Sequence, residues 1–253
     1  MSDWRFRIAI PSYKRAGTLL KKTLRFLQRQ EVSVDAVDIF LASEEERVEY
    51  SRICGTAWHY IVGVPGIHRQ REFIHNHYAE GAWILCLDDD VSGWKTLYPG
   101  VPFQVLIERC FEIAAAEGCR LWGVYPTDFG PQLRDRYTKG LVFILGSFFG
   151  MINWHPVAGA YPHATTEDIT RTIQRYLADG AVLRFDGVGP HTLYFTEPGG
   201  LQEYRTPDRQ RAEMEALVTR YPDYAVLRQK HDTYVDVRVT RQPKTRVQNP
   251  FLL

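Results

Sequence analysis

The chain has 253 residues, 45% hydrophobic and 24% charged, enough apolar material for one large α/β core. With 31 Lys/Arg against 30 Asp/Glu the formal charge is +1, which excludes a polyanion-binding surface spread over the whole molecule; any such surface must be local. The start, Met1-Ser2-Asp3-Trp4-Arg5, lacks a secretory apolar region, Leu141 to Trp154 is too short to span a bilayer as a helix, and Cys54, Cys86, Cys110 and Cys119 lack zinc-like spacing, so no membrane span, reduced thiols and a cytoplasmic location are expected.

Arg5 to Ile10 alternates into an apolar edge and reads as the first strand. Pro11-Ser12-Tyr13-Lys14-Arg15 is a loop, because proline ends the ladder. Thr18 to Gln30 carries Leu19, Leu20, Leu24 and Leu27 at helical spacing. Val37 to Ala42 is a second strand. Ser43 then caps a helix whose first turn holds Glu44, Glu45 and Glu46, where the dipole favours acids. Trp58 to Val62 is a third strand, and Gly66 opens a loop into a helix through Tyr78. Trp83 to Leu87 is the fourth strand, Phe103 to Glu117 a helix and Leu121 to Tyr125 a fifth strand. This alternation predicts an α/β, Rossmann-like, mainly parallel sheet with helices on both faces.

Beyond residue 125 the pattern changes. Leu141 to Trp154 reads as strand material with glycine-marked bends. Thr165-Thr166-Glu167-Asp168 caps a helix reaching Ala178, Val182 to Phe185 and Thr192 to Phe195 are short strands, and Pro198-Gly199-Gly200 marks a turn. Pro207 to Arg220 is an amphipathic helix, and the tail from Tyr224 is strand-like and basic. No repeat or linker interrupts residues 1–253, which read as one domain with a C-terminal extension.

The run Trp83-Ile84-Leu85-Cys86-Leu87 ends in Asp88-Asp89-Asp90. Unpaired charges are costly to bury, so three acids at a strand end face water, a cation or a basic partner. The carboxyl edge of an open α/β sheet is where ligands bind. Asp88 and Asp90 form a D-x-D pair suited to a divalent ion on a diphosphate; the plainer reading is a solvated acidic turn. A Walker B strand also ends in acids, but no G-x-x-x-x-G-K-[ST] precedes it. Haloacid-dehalogenase-like phosphatases carry D-x-D on their first strand, not the fourth, and Ser92 stands where they have Thr or Val.

Four motifs follow in order: P-S-Y-K-R after strand one, G-I-H-R-Q-R before strand four, L-D-D-D after it, and E-D-I-T-R at 167–171. The series resembles the GT-A nucleotide-sugar glycosyltransferases, family 2-like members most closely. It departs from them at Lys14, where the family has asparagine, and at Gln70-Arg71-Glu72, where it has A-R-N. The resemblance implies a GT-A fold with an acceptor-side extension, residues 1–125 forming the nucleotide-sugar half and 126–253 the acceptor half. It implies a Mn²⁺ or Mg²⁺ ion and a UDP-sugar donor, with Asp90 on the metal and Asp88 on the ribose, sugar or metal. Asp89 is then solvated or paired with Arg71. In the Pro11-Ser12 loop, Tyr13 would stack on the base and Arg15 meet a phosphate, unless the loop is simply exposed. Glu44 or a neighbour would bind the uracil and ribose edge, or else only start its helix. Arg69 and Arg71 lie on a helix aimed at the D-x-D, and one of them would balance the acids, as a structural or donor-binding pair. Inverting transfer needs a base for the acceptor hydroxyl. Asp168 matches that position, with Glu167 second; helix capping is the alternative. His191 and His231 are candidates for a third metal ligand, or ordinary surface or core histidines.

Between Tyr224 and Asn249, Arg228, Lys230, Arg238, Arg241, Lys244 and Arg246 stand against Asp232 and Asp236, a local excess of +4. G-I-H-R-Q-R-E-F-I, W-I-L-C-L-D-D-D-V and a late P-G-G-L-Q together resemble one GT-A branch, the TET/JBP-associated glycosyltransferases related to base J glucosyltransferase and found in phage DNA-hypermodification systems. That resemblance implies sugar transfer to a hydroxymethylated pyrimidine in DNA, in the host cytoplasm if phage-encoded. Arg238, Arg241, Lys244 and Arg246 would then contact DNA phosphates in a wall beside the metal; a solvated face is the alternative. Trp154, Tyr161 and Tyr194 would line the acceptor side or pack in the core. The competing functions are the same enzyme with a glycan, lipid or protein acceptor, and a non-catalytic module on the same fold.

Overall fold

The computed structural model describes residues 4–156, 158–192, 206–231, 234–248 and 250–251. Strand β1 (Arg7–Pro11) leads into a helical segment: α1 (Ala16–Leu19), a π-wound turn (Leu20–Leu24) and α2 (Arg25–Arg29). There follow β2 (Val37–Leu41), α3 (Glu44–Cys54), β3 (His59–Val62), α4 (Ile67–His77) and β4 (Trp83–Leu87). Next come β5 (Gly93–Thr96), α5 (Phe103–Ala116), β6 (Leu121–Val124), β7 (Arg136–Gly140), β8 (Phe148–Ile152), α6 (Glu167–Asp179), β9 (Val182–Phe185) and β10 (Val188–His191). The chain continues through α7 (Pro207–Arg220), β11 (Ala225–His231), β12 (Tyr234–Val239) and β13 (Lys244–Gln248).

Nine strands form one sheet in the order β13-β7-β9-β6-β8-β4-β1-β2-β3. The block β4-β1-β2-β3 is parallel, and β9 runs parallel to β6. Strand β8 sits between β4 and β6 and is antiparallel to both; β7 is antiparallel to β9 and β13. Parallel strands joined by helical crossovers must bury both faces, and their side chains alternate between them. Ile8, Ile10, Ile39, Leu85 and Leu87 pack in one core with Leu19, Phe26, Tyr50, Leu106 and Phe111 from the helices α1, α2, α3 and α5. The intervening Ala9, Phe40, Ile84 and Cys86 join a second core with Ile74 of α4 and Tyr176 of α6. A third cluster ties α6 and α7 to the hairpin β11–β12 through Ile173, Met214, Leu217, Ala225 and Val237.

Several elements differ from the sequence reading. Of Leu141 to Trp154, the strand covers Phe148–Ile152, and 141–147 is irregular. The backbone there serves the site: Gly146 and Ser147 lend their carbonyls to Arg71 and to the Asp88 amide. Strands β5 and β10, which the sequence reading does not contain, pair in a separate ribbon. A Cβ on Gly189 would strike the Thr127 carbonyl, so glycine is needed for that approach. The basic tail is not one strand: β11 and β12 form a hairpin and β13 joins the main sheet beside β7. The expected strand Thr192 to Phe195 and turn at Pro198 fall, from residue 193 on, outside the described residues. Among the described residues no helix is long and apolar enough to cross a membrane, and all four cysteines are free.

Candidate active site

Strands β1 and β4 lie side by side and parallel, so the loop after β1 and the acid turn after β4 emerge together at the same sheet edge. The turn is held by its backbone. The Asp88 amide donates to the Ser147 carbonyl at 3.0 Å, and Thr23 Oγ1 donates to the Asp88 carbonyl at 2.7 Å while accepting from the Val91 amide at 3.0 Å. The three carboxylates then diverge. Arg71 Nη2 donates to Asp88 Oδ1 at 2.7 Å and to the Gly146 carbonyl at 2.9 Å. Asp89 is 5% exposed and accepts from Ser12 Oγ at 2.6 Å and Arg15 Nη1 at 3.2 Å. The same Arg15 nitrogen lies 3.5 Å from Asp90 Oδ2. Asp89 is therefore neither solvated nor paired with Arg71. It is the internal clamp that fastens the first loop to the acid turn.

That first loop has its own supports. The buried Tyr50 hydroxyl shares a 2.7 Å hydrogen bond with Ser12 Oγ and accepts from the Arg15 amide at 2.9 Å. Lys14 adopts φ 54°, and its amide donates to Glu46 Oε1 at 2.7 Å. Lysine carries backbone strain there, since asparagine enters this left-handed region more readily than other side-chain-bearing L-residues. Glu46 also accepts from the Ala42 amide at 2.8 Å, while Glu44 is exposed and pairs with Arg47. Neither Glu44 nor Glu46 lines the cavity, so the contact expected of Glu44 or a neighbour is not placed there; helical rotation turns Glu46 inward to hold the Lys14 and Ala42 amides.

The opposite wall is the first turn of α6. Glu167 Oε2 accepts from Arg171 Nη1 at 2.6 Å, and Glu167 Oε1 lies 4.0 Å from Arg71 Nε. Both arginines are buried, with guanidinium carbons 3.7 Å (Arg171) and 5.1 Å (Arg71) from the Phe149 ring centroid. Two cations thus hold Glu167. Asp168 accepts from the Ile169 amide at 2.8 Å. Burial, and then the charge of Glu167, push the Asp168 carboxyl up to about 7, against the pull of Arg171.

These walls enclose a cavity of about 660 Å³. Pro11, Ser12, Tyr13 and Arg15 line one side, Arg69 and Arg71 another. Asp88, Asp89 and Asp90 form its acidic end, with Glu167 and Asp168 across from them. Burial raises each member of the triplet to about 6, with Arg71 opposing at Asp88 and Arg15 at Asp89, and with the charge of Asp89 adding to the rise at Asp90. Burial thus outweighs the pull of the two arginines at these carboxylates, and a bound cation would offset that cost. Among the described residues no group of three or more His, Cys, Asp or Glu side chains could hold a metal ion alone. Two hard carboxylates are nonetheless what Mg²⁺ or Mn²⁺ takes from a protein when substrate phosphates and water complete the shell. Asp88 and Asp90 fit that donor set.

Other expected residues lie elsewhere. The His191 ring is 2.5 Å from Asp128 and does not line the cavity; the His231 side chain and Tyr194 fall outside the described residues. Trp154 and Tyr161 pack around buried His75 in the core. Arg238, Arg241, Lys244 and Arg246 line a separate cavity, not a wall beside Asp90, because β13 pairs with β7 at the sheet edge remote from β4. Sequence reading missed Gln70, Ser147, Thr165 and Arg209, which also line the cavity. Gln70 clamps the Val64 amide and the Leu41 carbonyl at 2.8 and 3.1 Å, a role its place beside Arg71 could have signalled.

No family model and no curated protein sequence matches the chain. Solved structures do resemble it. A mannosyltransferase from Pyrobaculum calidifontis, in complex with GDP-Man and Mn²⁺, superposes with a TM-score of 0.52 at 10% identity, covering 85% of this chain and 64% of that one. The chain thus spans under two thirds of that enzyme's length. Glucosyl-3-phosphoglycerate synthase from Mycobacterium tuberculosis, in complex with Mn²⁺ and UDP-glucose, gives 0.54 at 11% identity over 98% of this chain and 90% of that one. The same synthase with phosphoglyceric acid gives 0.52 at 12% identity over 89% and 84%. At such identities the likeness is one of fold, and that fold is GT-A.

Proposed function

We propose that the chain is a divalent-metal-dependent, inverting glycosyltransferase that takes a glucose-like sugar from a UDP-sugar and delivers it to a hydroxymethylated pyrimidine in DNA. The observation that carries the enzymatic reading is the convergence of Asp88 and Asp90, from the third motif, with Asp168, from the fourth, on one cavity. Structural neighbours of the same fold hold GDP-Man or UDP-glucose with Mn²⁺.

In this reading residues 1–125 bind the donor and 126–253 the acceptor. Asp88 and Asp90 hold a Mn²⁺ or Mg²⁺ ion, which supplies positive charge against the departing diphosphate. Tyr13 stacks on the base. Arg15, already anchored on Asp89, presents its guanidinium at the acidic end, and Arg71 fixes Asp88. Asp168 takes the proton of the acceptor hydroxyl as its oxygen bonds to the anomeric carbon and the carbon–oxygen bond to the diphosphate breaks. Its raised pKa makes it a stronger base than an ordinary aspartate. Glu167, held by Arg171 and Arg71, is a positioning residue and not the proton acceptor. Four free cysteines suit a cytoplasmic, reducing compartment.

The DNA acceptor rests on the motif resemblance. It is tested by incubating the protein and Mn²⁺ with a panel of nucleotide sugars and either unmodified or hydroxymethylated DNA, followed by nucleoside mass spectrometry. Hexose mass on the hydroxymethylpyrimidine alone supports it. Donor consumption with no change in either DNA moves the acceptor to a glycan, lipid or protein.

A further inference from the structure

A second cavity, of about 480 Å³, shares no lining residue with the first. Its floor is the edge of the main sheet. In the ladder β13-β7-β9, Arg246 pairs with Thr138 and Thr138 with Arg184, so these side chains stand in one row on one face. Arg136 and Lys244 lie two residues from that row on their strands and share the face. The facing wall comes from the hairpin. Arg228 is directly across from Asp236, and Arg238 is two residues further along the same side. Arg241 follows in the connection to β13.

Seven cations thus line one cavity whose lining holds a single carboxylate, Asp236. Fully buried Asp186 accepts from Thr138 Oγ1 at 2.9 Å, Arg136 Nε at 2.9 Å and Arg184 Nε at 2.7 Å, so two of the seven cations are paired and their guanidiniums fixed. The positive charges crowd one another: burial and then Arg184, Arg246, Arg238 and Arg241 hold the Lys244 ammonium below its ordinary range. An anion in the cavity would relieve that repulsion. Six of the seven cations are arginines, whose planar forks match phosphate oxygens in pairs.

We propose that this cavity is a second binding site, separate from the nucleotide-sugar cavity, and that it takes phosphate groups, either of a compact polyphosphate or of a phosphodiester chain. The site exists whether or not the chain transfers sugar. The first turn of α6 borders both cavities, since Ile169 lines this one and Asp168 the other.

The test uses the full chain and three probes: inorganic tripolyphosphate by calorimetry, and a fluorescent thymidine oligonucleotide and a fluorescent polyglutamate by anisotropy, each across a salt series. One phosphate probe should bind, with affinity falling as salt rises. Tighter binding of tripolyphosphate identifies a compact ligand; tighter binding of the oligonucleotide identifies a phosphodiester chain. Arg238→Gln combined with Arg241→Gln should weaken that binding by at least about tenfold while leaving UDP–Mn²⁺ affinity unchanged. Arg246→Gln alone, on the exposed edge strand, should weaken it in the same sense and serves if the double variant does not fold. The proposal is overturned if neither phosphate probe binds at low salt, if polyglutamate binds as tightly, or if the variants bind as the parent does. Failure of UDP–Mn²⁺ binding in the parent counts against the donor reading alone.

Discussion

Asp168 and Ile169 are consecutive residues on the first turn of α6, yet they line different cavities. Asp168 lines the cavity that holds the acid triplet, and Ile169 the arginine-lined one. Under the two proposals, substitutions at the two cavities should therefore have separable effects on transfer and on phosphate binding.

Asp168→Asn should abolish most transfer, by roughly 10²- to 10⁴-fold, while donor affinity stays within a factor of about two. In the parent, transfer should climb as pH rises through about 7, because the base works only when deprotonated. Donor titration and steady-state rates across pH check both. A variant that transfers normally would move the proton acceptor to another residue.

The same raised carboxyl has a stability consequence. The folded state holds this proton more tightly than the unfolded chain, whose aspartate titrates at about 3.8. Ionisation therefore disfavours folding, and the penalty grows as pH rises from about 4 to beyond 7 and is absent below that window. Asp168→Asn, permanently neutral, should be more stable than the parent at about pH 8 by on the order of 2 kcal/mol, and no more stable at about pH 4. Urea denaturation at the two pH values measures it; an equal gain at both would contradict the assignment.

Two glycines should respond differently to alanine. A Cβ on Gly150 would run into the Trp122 indole in the core, so Gly150→Ala should destabilise by about 3 kcal/mol or prevent folding. A Cβ on Gly146 would lie 3.2 Å from Glu167 Oε1 and 3.4 Å from Asp168 Cβ. Gly146→Ala should therefore lower transfer more than stability. Thermal melting beside rate measurements separates the two cases.

Buried Glu213 on α7 accepts from the Thr165 amide at 2.9 Å, Thr165 Oγ1 at 2.6 Å and Arg209 Nε at 2.9 Å. It fastens α7 to the segment that opens α6. Glu213→Ala leaves those donors unpaired and should cost about 1–3 kcal/mol in denaturant titrations. Loss of the Arg209 anchor at the cavity rim should also lower transfer at subsaturating acceptor.

Much of the candidate site was legible because its signals are local. The apolar run to Leu87, the proline that ends β1 and the acids opening α6 each report a strand end or a helix start by residue type alone. The direction of each carboxylate was not legible. Asp89 turns toward Ser12 and Arg15 while Asp88 turns toward Arg71, a difference set by the pleat and by partners distant in sequence. Glu44 and Glu46 are both first-turn acids, and only the packed helix shows which one faces inward. The tail misled for a related reason. Strand β13 (Lys-Thr-Arg-Val-Gln) has little apolar pattern and finds its place by pairing with β7, which is equally polar, so neither strand announces its partner.

The central claim is that Asp88 and Asp90 hold a metal on which a nucleoside diphosphate binds. Calorimetric titration of UDP into the parent protein and into Asp90→Asn, each with and without Mn²⁺, tests it most directly. Binding in the parent with Mn²⁺, and loss of that binding either without the ion or in Asp90→Asn, is the predicted result. UDP affinity that is indifferent to both the ion and the substitution would contradict it.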